Sequence, residues 1–519
     1  VVRALADEGW RVESAGLPVR RGGALKSRVK SSIDWFELEA KVDFEGLEVP
    51  IPELLAPRPA DALLSLPDGS RAVPPVWLDR YLALARSGRV EGGGIRFNPA
   101  QAGVLDALLS GHEDVEVDVK FDRFRRRKVD PKRVQEPAGF RGELRPYQRD
   151  GVAWLQSLEG MECGGCLADD MGLGKTVQVL CWLQGKHRRS PAGPSLIVVP
   201  KSLVHNWVAE AAKFTDLTAT TYVGPNRDPA AMASFDLVVT TYGTLRSDIL
   251  KLLDHRFETV VLDEAQAIKN PRSQATKAAK LVRARQRLAI SGTPIENGLA
   301  ELWSIFDFVN PGMLGALDDF AAPGREQDEG WLELLNRALE PLMLRRTKDK
   351  VLKDLPGKTE QTVVLELGDE ERRRYDELLS YYRALLEDRI SREGLAASRF
   401  QVLEALLRLR QAACHPGLVD PSRVDEPSAK VDFLVDRIEE LATKGHKCLV
   451  FSQFTGLLNV VDRALRRRDL APAYLDGQTR DRQKVVDAFR SDAECPVFLI
   501  SLKAGGCGLN LVESDYVFL

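Results

Sequence analysis

The sequence predicts an α/β protein: two parallel-sheet units, a helical stretch between them, and a β-rich α+β segment in front. Three observations predict it. From residue 165 onward, short apolar runs of strand type recur, each ending at small or polar residues. Helical stripes separate those runs, and alternating strand and helix is the pattern of a parallel sheet. A second unit of the same kind begins near Ala429, after a charged helical stretch.

Composition sets the frame. A chain of 519 residues corresponds to roughly three or four domains. Hydrophobic residues make up 44% and charged residues 29%, as in ordinary soluble proteins. No apolar run approaches the roughly 18 residues of a membrane span. Val1-Val2-Arg3-Ala4-Leu5 is not a signal peptide, and without an initiator Met it leaves a longer natural N-terminus open. Seven cysteines are scattered, and Cys163 and Cys166 form a C-x-x-C that no second pair completes. Reduced cysteines of a cytoplasmic protein fit better than a metal or redox site. The net charge of -3 argues against coating nucleic acid by bulk charge. A local basic track over 120–149, with Lys120, Arg123, Lys132, Arg141 and Arg149 among its members, reads as a solvated linker or as a phosphate contact.

Residues 1–125 read as a separate β-rich accessory domain. Phe36, Leu38, Ala40, Val42 and Phe44 alternate with charged residues, as in a half-buried strand. Gly46 turns the chain, and Leu47, Val49 and Ile51 continue as a hairpin partner. Pro50 and Pro52 end that partner early or put it at an edge. Pro67-Asp68-Gly69 marks a turn, and Trp77, Tyr81, Leu82 and Ala85 a short helix. Val115, Val117, Val119 and Phe121 alternate once more, as a strand.

The basic connector leads to Pro146, which can open a helix. In that helix Gln148 carries the donor and acceptor needed to read an adenine edge, although a lone glutamine is usually a surface residue. Leu167 to Thr176 then form a phosphate cradle of the G-x-x-x-x-G-K-S/T kind, with Asp169 where the first glycine belongs. Asp170, Gly172 and Gly174 lie in the cradle. Lys175 reaches β- and γ-phosphates, and the Thr176 hydroxyl holds Mg²⁺. The strand at 260–262 ends in Asp263, placed to orient Mg²⁺, and Glu264, placed to polarise water; the plainer reading is an acidic helix cap. The strands at 196–199, 237–239 and 288–290 end at Pro200, Thr240-Thr241 and Ser291-Gly292-Thr293. In a parallel sheet these four ends share one rim, where ligands bind.

Residues 369–412 read as charged helices. In the second unit Val431, Leu434, Val435, Ile438 and Leu441 make a helical stripe. Strands at 448–451 and 497–500 follow, ending at Ser452-Gln453 and at Ser501-Leu502-Lys503.

Taken together, these stretches resemble the Swi/Snf-type ATPases of helicase superfamily two over nearly all of 140–519. The matching runs are 144–148, 169–176, 199–207, 240–242, 263–266 and 291–302, then 344–348 (Leu-Arg-Arg-Thr-Lys), 355–358, 409–416, 450–454, 475–479 and 501–511. Residues 33–109 look like the accessory domain of many bacterial members. The resemblance implies two RecA-like P-loop lobes, the second incomplete, with ATP and Mg²⁺ in the cleft. It implies domains at 1–125 (accessory), 126–343 (first lobe), 344–428 (basic connector and helical protrusion) and 429–519 (second lobe). It gives Gln266, Ser291 and Thr293 a coupling role. Pro200, Lys201, Ser202, Thr240, Thr241, Ser452 and Lys503 would face the DNA backbone. Two departures stand out. Gln266 occupies a position where many members carry His. The arginine-finger motif expected beyond Leu519 is not in the sequence, and losing such an arginine costs roughly 10³–10⁵ in rate. A chain ending there is expected to bind ATP and hydrolyse it poorly.

The leading functional expectation is a DNA-stimulated ATPase that translocates on duplex DNA and displaces bound proteins. The alternatives are a strand-separating helicase, against which the 344–358 signature counts, and a non-catalytic ATP-binding scaffold. Such a scaffold would dock on RNA polymerase or another DNA-bound protein through residues 1–125.

Overall fold

The structure is a computed structural model that describes residues 5, 10, 12–14, 17–32, 34–56, 63–125, 130–189, 193–292, 298–351, 359–394, 397–492, 494–505 and 511–519. The chain forms two compact units, 1–355 and 356–519.

The N-terminal part of the first unit is built on the expected alternation. Strand Phe36–Phe44 buries Phe36, Leu38, Ala40, Val42 and Phe44 and pairs with Leu25–Ser31, Gly94–Phe97 and Leu47–Pro50. Its hairpin closes at Glu45 and Gly46, with φ of 52° and 91°. Two successive positive φ values give a turn whose twist matches the flanking strands. The partner strand stops at Pro50 as expected, but Ile51 opens the helical turn Ile51–Leu54 and does not extend the strand. The expected strand through Phe121 is also corrected. Strand Asp114–Val117 gives way to helix Val119–Arg125. The cause is Asp118, whose Oδ1 accepts from Phe121 N–H (2.8 Å) as a helix cap.

The accessory segment does not stand apart from the rest of its unit. One apolar core runs from Leu25 through Leu108 to Phe306 and Leu342. Helix Ala102–Leu109 lies so close to helix Glu329–Leu339 that a Cβ on Gly103 would sit 2.3 Å from the Ala338 carbonyl oxygen. Gln101 Nε2 donates to Met313 O (3.1 Å), and Arg80 pairs with Asp328 (2.7 Å).

The rest of the first unit is built on a seven-stranded, fully parallel sheet. Its order is Ala219–Tyr222, Leu237–Thr241, Ser195–Val199, Arg256–Leu262, Arg283–Ile290, Gly165–Leu167, Met343–Leu344. Parallel strands point their C-terminal ends the same way, so the polar ends expected on one rim do lie there. The edge strand Met343–Leu344 carries this sheet past residue 343, into the stretch that the sequence assigned to the connector.

The second unit opens with helices Asp369–Glu393 and Arg399–Ala412. Helix Ala429–Thr443 then buries Val431, Val435, Ile438 and Leu441. A four-stranded parallel sheet follows, in the order Ala473–Leu475, Val497–Ser501, Cys448–Ser452, Tyr516–Phe518. The α/β class read from the sequence is the observed one.

Candidate nucleotide site

The cradle lies between strand Gly165–Leu167 and helix Lys175–Arg189. Gly172 and Gly174 adopt φ of 85° and 73°, which side chains other than glycine rarely tolerate. At Gly174 a Cβ would also lie 2.5 Å from Gln148 Nε2. Lys175 Nζ folds over the loop and donates to the carbonyls of Asp169 (2.7 Å) and Asp170 (3.3 Å). Burial pulls its pKa down, while Glu264, Asp263, Asp169 and Asp170 hold it up. Thr176 follows in the first turn of the helix, half-buried.

Two strands away, Asp263 ends strand Arg256–Leu262. Neighbouring strands stand about 4.8 Å apart, so the two strand ends frame a gap of roughly 10 Å. Asp263 Oδ2 accepts from Trp207 Nε1–H (2.8 Å), Oδ1 accepts from Glu264 N–H (2.9 Å), and the Asp263 carbonyl accepts from Tyr242 O–H (2.7 Å). Burial pushes the Asp263 carboxyl up to about 6, against the pull of Trp207. Glu264 sits at φ 50°, a left-handed conformation that is strained for a side chain of this size. Its Oε2 accepts from Gln266 Nε2 (2.6 Å), and Gln266 Oε1 accepts from the Ser291 hydroxyl (3.1 Å). Gln266 thus uses both ends of its amide to link a carboxylate to a hydroxyl.

Ser291 ends the strand lying between the other two, and its N–H donates to Leu167 O (3.1 Å). A Cβ on the next residue, Gly292, would be 3.2 Å from Met171 Cγ and 4.0 Å from Lys175 Nζ. The rim therefore reads, in order, cradle, Ser291, Asp263 and Glu264. Lys175 and the two carboxylates act on one another electrostatically. Thr293 lies outside the described residues.

Gln148 is pressed against the cradle. Its Oε1 accepts from Arg145 N–H (2.9 Å) and its Nε2 donates to Leu173 O (3.3 Å), so its amide orders the loop. Asp169 is wholly buried and paired with Arg346 (Nε to Oδ1, 2.9 Å). Sequence reasoning gave no role to Trp207 or Arg346, although both lie in motif stretches. The signal for Arg346 was the misfit itself: a buried carboxylate in place of a glycine needs a cation.

The expected DNA-facing residues divide. Pro200, Lys201 and Ser202 follow strand Ser195–Val199, with Lys201 exposed. Thr241 caps helix Tyr242–Leu252 by accepting from Thr244 N–H (3.1 Å). Thr240 is a correction. It is fully buried and its hydroxyl donates to Tyr222 O (2.8 Å), because both faces of an inner parallel strand are covered. In the second unit Ser452 is the last residue of one strand and Lys503 lies just beyond its parallel neighbour; Ser452 Oγ accepts from Phe454 N–H (3.1 Å), and Lys503 is exposed. Cys163 and Cys166 are buried, with thiols pushed up to about 12. No cluster of three metal-ligating side chains occurs among the described residues. No described helix is long and apolar enough to cross a membrane.

Two family descriptions match the chain. The SNF2-related domain covers 147–418, just over half of it, and the helicase conserved C-terminal domain covers 429–519. YwqA of Bacillus subtilis, provisionally named an ATP-dependent helicase/translocase, is 35% identical over 73% of this chain and 43% of its own length. The uncharacterised ATP-dependent helicase MG018 of Mycoplasma genitalium is 36% identical over 72% of this chain and 36% of its own. The TATA-binding protein-associated factor MOT1 of Saccharomyces cerevisiae is 31% identical over 82% of this chain and 27% of its own. The chain thus spans less than half the length of these curated relatives. Among solved structures, the Sulfolobus solfataricus SWI2/SNF2 ATPase core in complex with double-stranded DNA is 30% identical, with 74% of this chain and 83% of that one covered at a TM-score of 0.44. With its phosphate cradle, its Asp-Glu strand end and its second parallel α/β unit in family order, the chain belongs to the SNF2-related family of ATP-dependent helicase-like proteins.

Proposed function

We propose that this chain is the motor part of an ATP-hydrolysing translocase that moves along double-stranded DNA and displaces or rearranges proteins bound there. The observation that carries the reading is the mutual field of Lys175, Asp263 and Glu264 along one sheet rim, with the cradle at one end. The donor set fits a magnesium-bound triphosphate. Glycine-shaped backbone and a helix N-terminus suit phosphate oxygens. A carboxylate whose charge is costly to hold in its buried position suits a dication, and Mg²⁺ is commonly held by one or two carboxylates plus phosphate. When bound, the ion neutralises phosphate charge. Lys175 would steady the β- and γ-phosphates, and Thr176 and Asp263 would hold the ion. Glu264 would take the proton of the attacking water, and Gln266 would hold Glu264 in register with Ser291. Gln148 would lie where an adenine edge can be read beside the loop. Lys201, Pro200, Ser202 and Thr241 in the first unit, and Ser452 and Lys503 in the second, would meet DNA phosphates. Such contacts position without specifying sequence, as a translocase requires. MOT1 is named for association with a TATA-binding protein, which supports protein on DNA as the thing moved.

The test is ATP hydrolysis and third-strand displacement from a triplex by the natural full-length protein, with duplex DNA, single-stranded DNA or RNA as stimulant. Duplex is expected to stimulate most and the third strand to be released, with no unwinding of an annealed strand. Glu264→Gln is expected to keep nucleotide binding and to lower turnover by roughly 10²–10⁴-fold. Stimulation by RNA with release of an annealed strand would favour a strand-separating helicase instead. Unchanged cellular function in Glu264→Gln would favour a scaffold.

A further inference from the structure

The cradle is held in shape from outside itself. Beyond strand Met343–Leu344 the chain runs alongside the loop. Ala168 N–H donates to Leu344 O (2.7 Å), Asp170 N–H donates to Arg346 O (2.9 Å), and Lys348 N–H donates to Asp170 Oδ2 (2.9 Å). The Arg346 guanidinium enters the space behind the loop. Its Nε donates to Asp169 Oδ1 (2.9 Å) and its Nη2 to Gln178 Oε1 (2.8 Å). It also binds the second Asp169 oxygen and the Tyr147 carbonyl. Only 12% of the arginine side chain is exposed, and none of Asp169. The cluster leaves no spare room: a Cβ on Gly151 would fall 1.8 Å from Gln178 Oε1 and 2.9 Å from Arg346 Nη2. One guanidinium thus joins the start of helix Pro146–Gly160, the end of strand Gly165–Leu167 and helix Lys175–Arg189.

This arrangement accounts for the missing first glycine. Within the cradle only Gly172 and Gly174 have positive φ, so the backbone at Asp169 does not need glycine. A buried carboxylate does need a partner, since an unpaired one is strongly destabilising. Asp169 also touches the other side of the site, because its carbonyl accepts from Lys175 Nζ (2.7 Å). Arg346 and Lys175 are therefore linked through a single residue. We propose that Arg346 is a positioning residue for the triphosphate: it fixes Asp169 and, through Asp169, the loop and the Lys175 ammonium. Nucleotide affinity then depends on the register of 343–348 against the loop. This rests on the reading of the loop as a triphosphate cradle.

The test is equilibrium binding of a fluorescent ATP analogue with Mg²⁺ to the full chain, with near-ultraviolet circular dichroism confirming the fold of each variant. Lys175→Ala tests the cradle, and Arg346→Ala tests the proposal. Arg346→Ala is expected to weaken binding roughly 10- to 100-fold, as loss of a supporting residue behind a ligand commonly does. Free guanidinium at low millimolar concentration is expected to restore much of that loss, and to restore nothing in Lys175→Ala or Asp169→Asn. Arg346→Lys keeps the charge but not the forked geometry, so it is expected to recover only part of the affinity. Wild-type affinity in a folded Arg346→Ala, alongside lost binding in Lys175→Ala, would overturn the proposal and leave the cradle standing. Wild-type affinity in Lys175→Ala would overturn the cradle itself. Should Arg346→Ala not fold, Arg346→Lys decides: wild-type affinity there overturns the proposal, and reduced affinity with a native spectrum supports it.

Discussion

Asp263 holds its negative charge at a cost, and the cost has a sign that can be measured. In the folded chain it keeps its proton up to about pH 6 because it is buried. In an unfolded chain an aspartate releases its proton near pH 3.9. The folded state therefore binds more protons between those values, and stability falls as pH rises through that window. By pH 7 the loss amounts to about 3 kcal/mol. Asp263→Asn keeps an acceptor for Trp207 and removes the charge. Without nucleotide it is expected to be more stable than the parent by about 1–3 kcal/mol at pH 8, with the gap closing by pH 4, while ATP turnover is lost. Urea unfolding at pH 4, 6 and 8 checks this; a gap independent of pH would show that burial of the charge is not its origin. The structure sets Lys175, Asp263 and Glu264 along one rim, and as a candidate phosphate site their residue types and spacing, with Thr176, were legible. The partners Trp207 and Arg346 were not, since each meets its carboxylate across more than fifty residues of chain.

At the scale of elements, the link from Glu264 through Gln266 to Ser291 joins two strands of the sheet at the rim. Gln266 makes that link by donating from one end of its amide and accepting at the other. Gln266→Ala is expected to leave nucleotide affinity within about threefold and to lower DNA-stimulated turnover roughly 10- to 100-fold. Equilibrium binding and steady-state hydrolysis on the same preparation check it; equal losses in both would assign Gln266 to binding. Strands in this region were legible because buried parallel strands are apolar throughout and stop at polar residues. The same rule hid Thr240, since a threonine ending an inner strand can face inward and bond a neighbouring backbone. Period two also misled at Val119 and Phe121, where a single aspartate at 118 converts the pattern into a capped helix.

The first unit is continuous where the sequence reads as a separate accessory domain. A shared core and the contact of Gly103 with the Ala338 backbone place the accessory segment in one packed body with the seven-stranded sheet. The apolar face of helix Ala102–Leu109 is covered by residues more than 200 positions further along the chain. Gly103→Leu is expected to destabilise the unit by about 1–3 kcal/mol, the range for overpacking, and to make it more open to protease. Urea unfolding with limited proteolysis checks this, and wild-type resistance would show that the two parts are only loosely apposed. Lys175, Asp263 and Glu264 are proposed to share one magnesium-bound triphosphate. A crystal structure of the full chain with Mg²⁺ and a non-hydrolysable ATP analogue tests it most directly. Lys175 Nζ is expected within hydrogen-bond distance of a β- or γ-phosphate oxygen, the ion or its waters against Asp263, and Glu264 facing the γ-phosphate. A triphosphate bound elsewhere, or one that leaves the two carboxylates out of reach, would contradict it.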